Sequence, residues 1–114
     1  MYKILLFIKD FELGSKISSA CVDIGYSVEF SDENTDPDSF EEDIKITVVD
    51  LDEKVFASVG LVSELKRRKI KIVGIMKKIN NRDRFKIRNA GCDIILPKNS
   101  IVKNIPKLLS ELIK

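Results

Sequence analysis

The sequence contains no histidine, and its two cysteines, Cys21 and Cys92, stand far apart instead of forming a Cys-x-x-Cys pair. A zinc site and any histidine-based catalytic triad are set aside on that ground, since both need those side chains together. Two unpaired cysteines suit a reduced, cytoplasmic protein, with each expected to fill a small gap in the core. Glycine is also sparse, at five residues. The first strand-to-helix stretch, IKDFELG, has its glycine already inside the helix, so the loop that would admit a pyrophosphate is missing. Nor does KDFE offer the small and hydroxyl residues that a flavin phosphate would want, and no Walker loop occurs. No apolar run approaches the ~20 residues a bilayer crossing needs. The opening MYKILLFIKD lacks a small-residue cleavage site and reads as a first strand, not a signal peptide.

What is present is a globular balance, 44% hydrophobic and 33% charged. A length of 114 residues suffices for one domain with a proper core and is too short for two, so residues 1–114 are expected to be a single domain. The net charge of +2 hides a segregation: Glu29 to Glu53 holds 11 acids and one base, Lys66 to Arg88 holds 11 bases and one acid. Such blocks form solvated faces, or a basic surface that attracts an acidic partner or nucleic acid. Only Phe85 interrupts the basic segment, so base stacking is poorly served and nucleic acid is not the expected partner.

Short apolar runs alternate with helix-period segments. Strands are expected at 3–8, 26–30, 44–49, 71–76 and 93–96, and helices at 11–24, 37–42, 54–68, 81–89 and 100–113. Asp36 with Pro37 starts the second helix, and Val55, Val59, Val62 and Leu65 mark the inner stripe of the third. This (βα)5 alternation demands a parallel sheet with helices on both faces, because each crossover is right-handed. Two architectures fit: the flavodoxin-like three-layer sandwich with strand order 2-1-3-4-5, and half of a dinucleotide-binding fold. Ile4, Leu6, Val48, Val73, Ile75 and Ile94 are expected in the core. In either fold ligands meet the carboxyl ends of the strands, where Asp10, Asp50, Met76, Lys77 and Lys98 fall.

KILLFIKD, VVDL and above all NAGCDIILPK (89–98), in this order and spacing, resemble the response-regulator receiver domain over the whole chain. The resemblance implies the flavodoxin-like fold, a phosphoacceptor Asp at the third strand's end, and a Mg²⁺-binding acidic pair after the first strand. It also implies a Ser or Thr after the fourth strand and a lysine after the fifth. Asp50 matches the acceptor and Lys98 the lysine. The acidic pair falls on Ile8 and Lys9, the hydroxyl on Met76, the switch aromatic on Ile95 and the following proline on Asn99. A shift of one residue would bring Asp10 into the pair.

The resulting expectation is a receiver-like signalling domain of the two-component, phosphorelay type, not an enzyme, with metal-dependent phosphorylation weakened or lost and no cofactor. Lys9 and Lys98 would hold Asp50 in a structural ion pair, or Lys9 would face solvent. Asp52 and Glu53 would begin the following helix, and Asp93 would accept in the turn after Gly91. Partners are signalling proteins, a histidine kinase or an output protein, or a second copy. The expected face is helix 81–89, strand 93–96 and helix 100–113, with Arg82, Arg84, Lys86 and Arg88 steering an acidic partner. The rivals are an active phosphoacceptor with Asp10 and Asp50 as Mg²⁺ ligands, a small nucleotide-binding α/β protein, and a nucleic-acid binder using Lys66 to Arg88, whose binding would fall steeply with salt.

Overall fold

A computed structural model describes residues 2–40, 42–78 and 80–113. The elements run β1 (Lys3–Phe7), α1 (Phe11–Asp23), β2 (Ser27–Phe30), a 3-10 turn (Pro37–Ser39) and β3 (Ile44–Asp50). They continue with α2 (Val59–Arg67), β4 (Lys71–Met76), α3 (Asn81–Ala90), β5 (Ile94–Pro97) and α4 (Lys98–Leu112). All neighbouring strands pair parallel in the order β2-β1-β3-β4-β5. This is the flavodoxin-like three-layer sandwich.

Side chains alternate across a strand, so the central strands feed two cores. Leu5, Phe7, Val49 and Ile72 face Val62, Leu65 and Ile87 of α2 and α3. Ile4, Leu6, Val48, Val73 and Ile75 face Ile17 and Cys21 of α1 and Ile101, Ile105 and Leu109 of α4. Ile94, expected inside, packs against that second core only partly buried. Thr47 is the one buried hydroxyl of β3, and it donates to the Leu5 carbonyl at 2.8 Å. Both cysteines are buried in these cores, and burial pushes each thiol up to about 11, so neither carries a thiolate at neutral pH.

Two helices depart from expectation. The span 37–42 forms only the single 3-10 turn, because Asp36 closes it locally, accepting from the Asp38 and Ser39 backbone N–H groups. Phe40 then leaves the turn to meet Phe7 edge-on at 6.3 Å. Glu41, within that expected span, lies outside the described residues. The third expected helix begins at Val59, not at residue 54, with Ser58 as its N-cap. Residues 51–57 are instead wound into turns whose bonds run from Glu53 N–H to the Asp50 carbonyl, and from Phe56 and Ala57 N–H to the Glu53 carbonyl. These place Phe56 in the core, edge-on to Phe7 at 5.4 Å, and leave Val55 45% exposed.

Phe56→Ala should therefore cost roughly 3–5 kcal/mol of stability. Val55→Ala should stay within about 0.5 kcal/mol. Urea denaturation of the two variants checks the pair; equal losses would mean that Val55 is inside.

Candidate functional site

Asp50 ends β3 opposite Ile75 of β4 and is 1% exposed. A carboxylate so far out of water needs charged or hydrogen-bonding partners. Lys98, the first residue of α4, supplies the charge: its Nζ lies 2.9 Å from Asp50 Oδ1 and 2.9 Å from Asp52 Oδ2. Asp50 Oδ1 also accepts from the Asp52 N–H at 3.0 Å, and Asp52 Oδ2 accepts from the Lys77 N–H at 2.7 Å. One ammonium thus ties the ends of β3 and β5, and a backbone donor adds the end of β4.

Burial alone would pull the Lys98 pKa down, but the hydrogen bonds to Asp50 and Asp52 outweigh it and hold the pKa above the ordinary 10.5. Burial likewise works against the charged form of Asp52. The hydrogen bonds from Lys98 and the Lys77 N–H prevail, leaving its pKa below the usual carboxylate value.

The expected pair of Lys9 with Asp50 does not form. Lys9 leaves β1 beside β2 and binds the acid that β2's own loop presents, Glu33 Oε1 at 2.8 Å, with its ammonium 5.8 Å from the Phe56 ring centre. The bond to Glu33 raises the Lys9 pKa, and partial desolvation opposes this. Asp50 is already served by Lys98, which removes the reason for Lys9 to turn inward. Asp10 serves as the N-cap of α1, its Oδ1 accepting from the Leu13 N–H at 3.1 Å. Asp52 does not start α2, which begins seven residues later; it is the second carboxylate of the Lys98 bridge. Its signal was a second acid two residues beyond the strand-end Asp50, in the turn that brings it to the same ammonium. Asp93 accepts across the sheet edge from the Ile72 N–H at 2.8 Å and pairs with Lys66 at 3.2 Å, rather than closing a local turn.

Ile8 and Met76, where the resemblance places an acid and a hydroxyl, are both buried and apolar. Ile95 is buried where the switch aromatic would stand. Among the described residues, no three Asp, Glu or Cys side chains converge closely enough to hold a metal ion. The residues present do not fit a Mg²⁺ site. Arg82, Arg84, Lys86 and Arg88 are exposed on α3, and none makes an ion pair with a described residue. No helix among the described residues is long and apolar enough to cross a membrane.

Comparison with solved structures places this geometry. The chain is similar to the Vibrio cholerae chemotaxis protein CheY4, with TM-score 0.80 and 16% identity over 98% of each chain. It is similar to a response regulator from Thermotoga maritima, with TM-score 0.73 and 11% identity over 96% of this chain and 98% of that one. The fold is that of the receiver domain. An orphan response regulator of H. pylori also shares it, with TM-score 0.68 and 17% identity over 95% and 96% of the two chains. No family model matches the sequence, and no curated protein matches it as a relative.

Replacing Lys98 by Met strands a buried carboxylate and should cost roughly 1–3 kcal/mol, the penalty for an unsatisfied buried polar group. Asp50→Asn in the same chain should restore part of the loss, read as a coupling in urea denaturation. The pH dependence has a definite sign. With a raised folded-state pKa, the Lys98 contribution is complete below its ordinary 10.5 and is lost as pH rises through the raised value. With a lowered one, the Asp52 contribution is complete above its ordinary 3.8 and is lost as pH falls through the lowered value. The difference in stability between wild type and Lys98→Met should hold through neutral pH and shrink at both extremes.

Proposed function

We propose that this chain is a receiver-like signalling domain of the two-component type, working in the cytoplasm by protein–protein contact and not as an enzyme, with metal-dependent phosphorylation of Asp50 weakened or lost. The observation that carries this reading is the Lys98 ammonium 2.9 Å from both Asp50 and Asp52, in a site whose remaining family positions are Ile8, Lys9 and Met76. Phosphoryl transfer to a carboxylate relies on a divalent ion to neutralise nucleophile and transferring group together. Such an ion needs converging oxygens. Here Asp10 is engaged as a helix cap, and Ile8 and Met76 offer none. Lys9, turned to Glu33, brings no oxygen to the acidic pair, so a cation site there is weakened by the ligand lost.

Acetyl phosphate with Mg²⁺ should leave the protein's intact mass unchanged. A phosphate-sized adduct on wild type, absent in Asp50→Ala, would sink this reading in favour of an active phosphoacceptor. Ile8→Asp with Lys9→Asp should recover Mg²⁺ binding.

Contact with a partner is assigned to α3 and its neighbours β5 and α4. Arg84→Glu with Arg88→Glu should weaken binding of an acidic partner while changing stability by no more than about 0.5 kcal/mol per exposed site. A loss comparable to that of a core mutant in thermal denaturation would make this face structural instead.

A further inference from the structure

Parts of the two charge blocks flank opposite edge strands of the sheet. Between Ser31 and Ile44 the chain carries seven acids and no base, and this crossover leaves β2, one edge strand. Of the acids described there, ion pairs engage Glu33, held by Lys9, and Asp38, held by Arg68. The six bases from Lys77 to Arg88 belong to α3 and the loop before it, beside β5, the other edge strand.

Each end also carries an exposed aromatic element. On α3, Phe85 is 71% exposed, and Arg82 and Arg88, three residues to either side, share its stripe. At the β2 end the exposed aromatics form a hollow. The Phe30 ring crosses α1 at Gly14, so closely that a Cβ there would come within 2.9 Å of it. Short Ser15, Ser18 and Ser19 keep the space beside it open, and Phe11, 88% exposed, forms a wall. The cleft measures about 440 Å³, ample for one aromatic ring. Asp10 lines it and Asp32 follows two residues after Phe30, while the Lys9 ammonium at its margin is already matched by Glu33.

We propose that copies of this chain associate head to tail, Phe85 of one entering the α1–β2 cleft of the next, with the arginines of α3 facing that copy's acidic edge. The reading extends the basic-helix contact assigned above by naming its partner, and it stands apart from the chemistry of Asp50. The two surfaces differ, and they sit on opposite faces and edges of the sheet, α1 with one core and α3 with the other. Such a contact is heterologous and does not close into a two-fold dimer. Its charged part makes it sensitive to salt.

Sedimentation velocity of the full chain, as a concentration series in low and high salt, tests this. In low salt the mean sedimentation coefficient should climb with concentration without levelling at a dimer, and high salt should return it to the monomer value. Phe85→Ser removes the knob, and Ser15→Arg with Ser19→Arg fills the cleft and adds positive charge that repels the arginines of α3. Each variant alone should be monomeric, yet their equimolar mixture should form a one-to-one complex and nothing longer, since one intact surface of each kind remains. If the cleft variant does not fold, ¹⁵N-labelled Phe85→Ser titrated with unlabelled wild type decides instead, with shifts expected at Phe11, Ser15 and Phe30. A wild type that stays monomeric in low salt overturns the proposal, including when it binds polyglutamate, which would make the partner foreign. So does a series that levels at a dimer, or variants that fail to complement. None of these results would bear on whether Asp50 accepts phosphate.

Discussion

A carboxylate 1% exposed at the end of the central strand is the constraint from which the upper face of this molecule follows. It must be met by a cation and by hydrogen-bond donors: the cation comes from Lys98, far along the chain, and a donor from the Asp52 N–H two residues on. Lys98 brings the start of α4 over the end of β3, and Asp52 turns back to share the same ammonium. That return bends residues 51–57 into turns, delays α2 to Ser58, and sets Phe56 down on Phe7. A single charge interaction thus determines the loop after β3, the start of one helix and part of one core.

The same bridge defines what the site can do. Two carboxylates and one ammonium form a partly neutralised cluster with one negative charge in excess, tied down by backbone donors from Asp52 and Lys77. The positions around it that would bring further oxygens instead feed the core or cap a helix. The proposed contacts lie elsewhere, on the acidic loop beside β2 and the basic helix beside β5. Ile87 is the one fully buried residue of α3, with Ala90 packed partly against the same core, and this leaves the arginines and Phe85 of that helix exposed.

Much of this was legible in the sequence, and for stated reasons. Doubly buried strands read as continuous apolar runs, so β1, β3 and β4 were plain, and their alternation with helical stripes required the parallel order found. Asp50 and Lys98 could be placed because strand ends are marked by where apolar runs stop. Two of the errors share one cause. Val55 matched the helical stripe of α2, and Lys9 stood next to the right loop, but the outcome in each case depended on a competing partner far along the chain. Glu33 took Lys9, and Asp50 with Phe7 took the segment that holds Phe56. Spacing reports periodicity within one element and says little about which of several acids a long, flexible ammonium will reach. The short helix at 37–42 failed partly for a local reason, since Asp36 closes its own turn, and partly because Phe40 packs on the distant Phe7.

We propose that Lys98 takes the place of a metal ion in balancing the charge of Asp50 and Asp52. A Mg²⁺ titration followed through the backbone amide signals of Asp50, Leu51 and Asp52 tests it most directly. Wild type should show no saturable shift of these signals at millimolar Mg²⁺. A saturable shift centred on Asp50, lost in Asp50→Asn, would contradict it.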